Sequence, residues 1–254
     1  VGRAGARRVA VSSEGPVRKP GPDAGPGILY LVATPIGNLE DVTLRALRIL
    51  REVDWIAAED TRRTSILLHA HAIEKPLISY HSHNEHERTP GFVQRLRSGE
   101  RGALVTDAGT PGISDPGFLL ARAARDAGIR VEVIPGPSAV LTALLASGLP
   151  CDRFSFLGYP PPKAGARKRF LEMAMAIGRT VVLFEGPHRI VRFMEDVVAC
   201  DPVRDIALCR EMTKKFEEVL RGSSSEVLDE IRARPRKGEF TIVIAAAAHQ
   251  GENA

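Results

Sequence analysis

Leu104-Val-Thr-Asp-Ala-Gly-Thr-Pro-Gly-Ile-Ser-Asp-Pro-Gly117 begins inside an apolar run of strand type and breaks into a loop holding three glycines (109, 112, 117) and two prolines (111, 116). Such a loop is stiff, and its backbone can approach a ligand closely. A crossover turn that needs its glycines only for unusual backbone angles would read the same way. Asp107, where the run ends, offers an acceptor for an ammonium group. The arrangement recurs on both sides. Strand-like runs at 28–33, 54–58, 76–80, 103–106 and 130–134 end in Thr34-Pro-Ile-Gly-Asn38, in Glu59-Asp60, in the polar segment 81–87, in Asp107 and in Pro135-Gly-Pro-Ser138. Between the first two runs, Leu39, Val42, Ala46 and Ile49 mark one helical face, with Asn38 and Asp41 as its start signal. Strands alternating with helical patterns predict an α/β fold with a largely parallel sheet, and ligands bind such sheets at the strand carboxyl ends.

The second half alternates differently. Its strand candidates are 154–157, 180–184, 205–210, 217–220 and 240–246, with helices near 166–176, 188–198 and 226–232. The connection 211–216 is too short for a helical crossover, so its two strands must pair antiparallel and the second sheet is mixed. Gly148, Pro150 and Asp152 interrupt the pattern. They place the boundary between an N-terminal domain (27–147) and a C-terminal domain (152–248).

The 254 residues carry 44% hydrophobic and 26% charged side chains, an ordinary globular composition. The longest apolar run, 242–248, is far short of the roughly 20 residues that span a bilayer, so no membrane helix is expected. Cys151, Cys200 and Cys209 form no CxxC pair and are odd in number, which argues for a reducing compartment and against a disulfide framework or a thiolate zinc site. Net charge is +4, but residues 1–26, read as a disordered basic tail, hold five basic and two acidic side chains; without them the charge is +1. A nucleic-acid surface must therefore come from local clusters.

Absent motifs narrow the chemistry. The chain has no Walker A loop, no GxGxxG fingerprint and no GxSxG elbow. His81-Ser-His83-Asn-Glu85-His86 reads almost as the HxHxDH pattern of binuclear metal hydrolases. The carboxylate is Glu rather than Asp, however, and His69, His71, His188 and His249 make no second ligand cluster. An exposed polar loop and a metal-free functional site are the other readings, and no metal is expected.

These motifs together resemble the rRNA small-subunit methyltransferase I family of the tetrapyrrole-methylase superfamily. The resemblance rests on LYLVATPIGN (29–38), AAEDTRRT (57–64), His83-Asn84-Glu85, DAGTPGISDPG (107–117), IPGPSA (134–139), FEGPHR (184–189), REMTKKFE (210–217) and KGEF (237–240), in order along the chain. It implies the two-domain fold of that superfamily, a cytoplasmic homodimer, and S-adenosylmethionine-dependent methylation of a ribose 2′-hydroxyl on a decoding-region cytidine of 16S rRNA in the small ribosomal subunit. It further implies that Pro35, Ile36, Gly37, Asp107, Ala108, Gly109, Thr110, Ile113 and Ser138 hold the cofactor, with Leu157 and Thr241 covering its adenine. Ser138 also stands where a helix cap would, and capping alone explains a serine there.

A ribose hydroxyl is a poor nucleophile, so the acceptor requires a base or a hydrogen-bonding group. Glu59, Asp60, His83, Asn84, Glu85 and Glu185 are the candidates, although Glu59 and Asp60 beside Arg62 and Arg63 also read as surface ion pairs. For RNA contact, basic runs around Lys168 and Arg169, around Lys214 and Lys215, and at 232–237 stand in the second half, joined by Arg62, Arg63 and Arg189 of the matching motifs. Only 13 residues are aromatic, too few for a broad stacking platform.

Overall fold

The computed structural model describes residues 27–247. The basic tail 1–26 and residue 248 lie outside the described residues. Two units result, divided between Pro137 and Ser138.

In the first unit, β1 (Ile28–Val32), β2 (Trp55–Ala58), β3 (Leu77–Ser79), β4 (Arg101–Val105) and β5 (Arg130–Ile134) form one sheet in the order β3-β2-β4-β1-β5. Every pairing in it is parallel, as the sequence led us to expect. Parallel neighbours need crossovers, and α1 (Leu44–Glu52), α2 (Thr61–Ala70), α3 (Glu85–Arg97) and α4 (Phe118–Asp126) supply them. Side chains alternate across the strands. Tyr30, Val32, Ile56, Ala58, Ala103 and Val105 meet α1 and Leu68 of α2 on one face. Leu29, Leu31, Trp55, Ala57 and Leu104 meet Phe92 and Leu96 of α3 and Leu120 and Ala124 of α4 on the other. Both faces are therefore covered, which is why these strands read as continuous apolar runs.

The expected helix start at Asn38 moves. The Asn38 side chain accepts from the Glu40 N–H at 3.1 Å, but it caps only a single 3₁₀ turn, Leu39–Asp41. The α-helix begins after Thr43, whose hydroxyl accepts from the Ala46 N–H at 3.1 Å, and Leu39 is left outside the buried face.

The second unit holds α5 (Ala139–Ser147), β6 (Phe154–Phe156), α6 (Ala164–Met175), β7 (Thr180–Glu185), α7 (Ile190–Cys200), β8 (Asp205–Arg210), β9 (Glu218–Ser223), α8 (Ser224–Ala233) and β10 (Phe240–Ile244). Its sheet runs β6-β7-β10-β8-β9, with β6 parallel to β7 and every other pair antiparallel. The mixed sheet is as expected, and β8 and β9 are the antiparallel pair that the short connection demanded. Helices α6, α7 and α8 bury Leu171, Phe193, Met194, Val197 and Val227 against Val181, Leu183, Leu208 and Ile242.

The expected domain boundary at 148–151 falls at the end of α5. Helix α5 belongs to the second unit, packing on β8 and β10, with the Ala143 carbonyl 3.7 Å from the Cys209 sulfur on the sheet face opposite α7. Arg221 of β9 donates to the Ser147 carbonyl at 3.0 Å and to the Ala146 carbonyl, tying the end of α5 to that sheet. The glycine and proline that follow α5 end a helix rather than a domain. Among the described residues, no helix is long and apolar enough to cross a membrane, and the three cysteines are free.

Candidate active site

The chain leaves β1 toward β2 and leaves β4 toward β5, in opposite directions across the sheet, although β1 and β4 are neighbours. Such a switch point opens a crevice at the carboxyl ends. Here the two loops are locked together: Thr34 and Gly109 exchange backbone hydrogen bonds of 2.9 and 3.0 Å, and the Thr34 hydroxyl donates to the Thr106 carbonyl at 3.0 Å. Gly109 sits at φ +76°, in the left-handed region. The loop after β5 presses on the same place, since a Cβ on Gly136 would stand 2.9 Å from that of Ala33. Pro35, Ile36, Gly37, Asp107, Ala108, Gly109 and Thr110 are thereby brought to one rim. Ile113 is exposed within the same loop, its N–H bonded to the Thr110 carbonyl at 3.3 Å. The Thr106 hydroxyl is buried beside this clasp with no partner in the protein.

A second clasp joins β2 to β4. The Asp60 N–H donates to Asp107 Oδ1 at 3.0 Å, the Asp107 N–H donates to Glu59 Oε2 at 3.3 Å, and Arg63 Nε lies 3.5 Å from Asp107 Oδ2. Asp107 therefore serves neighbouring strands before any ligand. Burial, with the Asp107 carboxylate adding to it, holds the Glu59 carboxyl above the ordinary glutamate range; the Asp107 N–H, Arg63 and His81 pull the other way. Asp60 behaves oppositely. Its hydrogen bonds to Arg62, at 2.7 and 3.0 Å, hold it at about 2, and its carboxylate also caps α2. Of the two neighbouring carboxyls, Glu59 is therefore the one more readily protonated.

At the end of β3, residues 81–84 form a turn and Glu85 opens α3, so the histidine segment is half turn and half helix. Asn84 Oδ1 accepts from the His81 N–H at 2.8 Å, and Asn84 Nδ2 lies 3.2 Å from His81 Nε2. His83 is exposed, with its ring 5.8 Å from that of His81. Among the described residues, no three His, Cys, Asp or Glu side chains are grouped to hold a metal ion.

Other expected site residues lie in the second unit. Ser138 caps α5, accepting from the Leu141 N–H at 3.4 Å. Leu157 packs against the core, while Thr241 is buried on β10 between Phe184 and Cys209. Glu185 ends β7 almost wholly buried, 2.6 Å from Arg189, with Oε2 unpartnered. Lys214 is held at 3.0 Å by Glu211 and at 2.8 Å by Glu239. Arg62, Arg63, Arg189 and Lys214 thus already face carboxylates. Lys168 and Arg169 stand exposed on α6, and Lys215 is exposed beside the Phe216 ring.

The model of the tetrapyrrole (corrin/porphyrin) methylase family matches residues 28–228. A ribosomal RNA small subunit methyltransferase I from Xylella fastidiosa is 49% identical over 228 residues, covering 89% of this chain and 84% of that protein. The chain belongs to this methyltransferase family. A further relative of the same name, from Streptococcus pyogenes serotype M1, is 46% identical over 89% of this chain and 79% of its own length. Among solved structures, the uroporphyrin-III C-methyltransferase of Thermus thermophilus in complex with S-adenyl homocysteine superposes with a TM-score of 0.61. It is 21% identical, covers 85% of this chain and 97% of that one, and attests the fold.

The residues that sequence reading passed over are the threonines Thr34 and Thr106, while Gly136 and His81 lay in segments it had singled out without a role of their own. A faint signal existed for the threonines: each is a hydroxyl placed where an apolar strand meets a glycine-rich loop. The contact of Gly136 with Ala33 gave none, because only folding brings these two together, and the Asn84 amide that orients His81 stands three residues on, inside a segment weighed for metal.

Proposed function

We propose that the chain methylates 16S rRNA with S-adenosylmethionine, at the ribose 2′-hydroxyl of a decoding-region cytidine. The observation that carries this reading is the double clasp of the first unit, which sets an unpartnered Thr106 hydroxyl and a burial-raised Glu59 at the carboxyl ends of adjacent strands. The rim fits the cofactor. Gly109 leaves room for close backbone approach, Gly136 lets its loop pack against Ala33, the Thr106 hydroxyl needs a partner, and the backbone groups of 35–37 and 107–110 suit an amino-acid end and a ribose. When bound, S-adenosylmethionine supplies a methyl group on a sulfonium, whose carbon–sulfur electron pair leaves with the sulfur.

The residues of the chain do the rest. Glu59 accepts the proton of the hydroxyl whose oxygen bonds the methyl carbon. Asp107 holds Glu59 through its N–H, and the stiff loops keep water from the reacting atoms. Phosphates meet Lys168, Arg169 and Lys215, which are exposed, rather than the cations already paired. The proposal includes Leu157, Ser138 and Thr241 as cofactor contacts, a cytoplasmic setting, and a homodimer that covers Leu141 and Leu145 of α5, 52% and 72% exposed.

The test is transfer of labelled methyl groups to small ribosomal subunits and to bare rRNA, with the modified nucleotide mapped. Label at a cytidine 2′-oxygen supports the reading. Label only on a tetrapyrrole acceptor, or none on either RNA form, overturns it. Sedimentation of the wild type against Leu145→Glu tests the dimer, which should dissociate in the variant.

A further inference from the structure

We infer that His81 is a positioning residue for Glu59, acting as a hydrogen-bond donor through Nδ1. The inference rests on the reading of Glu59 as the base. It starts from Asn84, whose amide orientation is fixed because Oδ1 accepts from the His81 backbone N–H at 2.8 Å. The amino group is thereby turned to His81 Nε2 at 3.2 Å and to the Ser79 carbonyl at 3.4 Å. An amino group has only protons to offer, so Nε2 is the acceptor and the proton of the neutral imidazole sits on Nδ1. That Nδ1–H is buried and has no acceptor in the protein. A buried donor left unused is costly, so a neighbouring group that becomes a stronger acceptor on ionising gains from taking it.

The partner is next door. Ala58 pairs with Ser79, and the Tyr80 N–H donates to the Ala58 carbonyl at 2.8 Å, so Glu59 and His81 leave the sheet on adjacent strands. Glu59 spends Oε2 on the Asp107 N–H, leaving Oε1. The charged or titratable groups around the pair are Asp107 at the end of β4, Arg63 on α2 and His83 on the same turn as His81. Of these, Asp107 opposes ionisation of Glu59, while Arg63 favours it. Nδ1 is unbonded in this structure; a hydrogen bond from it to Oε1, formed when Glu59 ionises, stabilises the carboxylate that must be present before the hydroxyl proton can be taken. It also aims the other lone pairs at the acceptor. The proton moves from hydroxyl to Glu59 as oxygen bonds the methyl carbon, and His81 keeps its own proton throughout.

The experiment titrates Glu59 by carboxyl ¹³C NMR in the substrate-free protein and, separately, records the pH profile of methyl transfer. His81→Phe keeps a ring without a donor and should raise the Glu59 midpoint by about one pH unit, with activity below the midpoint about tenfold lower. His81→Asn carries a donor at the position of Nδ1 and should restore the midpoint; His81→Gln carries its donor at the position of Nε2 and should not. Ring ¹⁵N shifts of the wild type should report a proton on Nδ1. The inference is overturned by a proton on Nε2, by one Glu59 midpoint common to wild type, Phe and Gln variants, or by rescue with Gln in place of Asn. If the Glu59 midpoint moves as stated while Glu59→Gln retains full methyl transfer, the positioning stands and the assignment of Glu59 as base falls. If no acceptor is methylated at all, the ¹³C and ¹⁵N measurements still decide the role of His81.

Discussion

The two units solve opposite problems with the same alternation of strands and helices. In the first, all strands run parallel, their carboxyl ends gather on one edge, and polar groups there are left unfinished: the Thr106 hydroxyl, the His81 Nδ1, one oxygen of Glu59. In the second, most charges finish one another, with Glu185 Oε2 and Arg167 Nη2 the buried atoms left over among the described residues. Arg236, 7% exposed, grips Glu218 at 2.6 and 2.9 Å and Glu230 at 3.1 Å, Arg210 reaches the Phe216 and Lys237 carbonyls, and Lys214 is held by two carboxylates. Basic residues that look alike in sequence therefore differ in availability. Where a charge is already satisfied it braces the fold, and at the strand carboxyl ends of the first unit the Thr106 hydroxyl and His81 Nδ1 are left open to a partner.

The largest effect should come from Gly136→Val in the first unit. Its Cβ would stand 2.9 Å from that of Ala33, so the clasp must open. We expect S-adenosylmethionine affinity to fall more than tenfold by calorimetry, with about 1–3 kcal/mol of stability lost to overpacking. Unchanged affinity would mean that the clasp does not serve the cofactor.

Arg236→Ala probes the second unit, and about 2 kcal/mol should be lost in urea unfolding at neutral pH. That is less than a fully buried pair loses, because Glu218 is about a third exposed. Arg236 and Arg210 hold the Glu218 carboxyl below its ordinary value of 4.5, so the stabilisation is present above that value and is lost as pH falls through the lowered one. Wild type and variant should therefore converge in acid. A difference that stays constant with pH would show that Arg236 acts through packing alone.

The available and the occupied cations can be compared directly. Lys168→Ala with Arg169→Ala should weaken RNA binding about tenfold and reduce the salt slope by about 1.4, at about 0.7 per phosphate contact on a single strand. Lys214→Ala should leave the slope unchanged and cost stability instead. The reverse pattern would erase the distinction between the units.

The smallest effect belongs to Asp60→Ala, which removes the α2 cap for about 1 kcal/mol or less. Because Arg62 holds Asp60 at about 2, this contribution should persist as pH is lowered through 3.8 and vanish only near 2. It should also shrink in salt, since Arg62 is 89% exposed. Loss of the contribution already at pH 4 would contradict the pairing.

The sheets were legible because strand alternation is written locally: the run 130–134 and the antiparallel return through 211–216 follow from residue type and spacing alone. Helix limits were less so. Thr43 outcompetes Asn38 as the cap of α1, and Pro90-Gly91, a strong breaker pair, sits inside α3 because tertiary packing of Phe92 and Leu96 overrides propensity. In the site, the glycine-rich loops announced themselves. Which cations were free did not, since Lys214 owes its state to Glu239, 25 positions away.

The central claim is that Glu59 takes the proton of a ribose hydroxyl while the first unit holds the methyl donor. Methyl incorporation into small ribosomal subunits by the wild type and by Glu59→Gln, with the product nucleotide mapped, tests it most directly. The account predicts label at the 2′-oxygen of a decoding-region cytidine for the wild type and a loss of at least a hundredfold for Glu59→Gln, with cofactor affinity retained. Label on a base, or full transfer by Glu59→Gln, would contradict it.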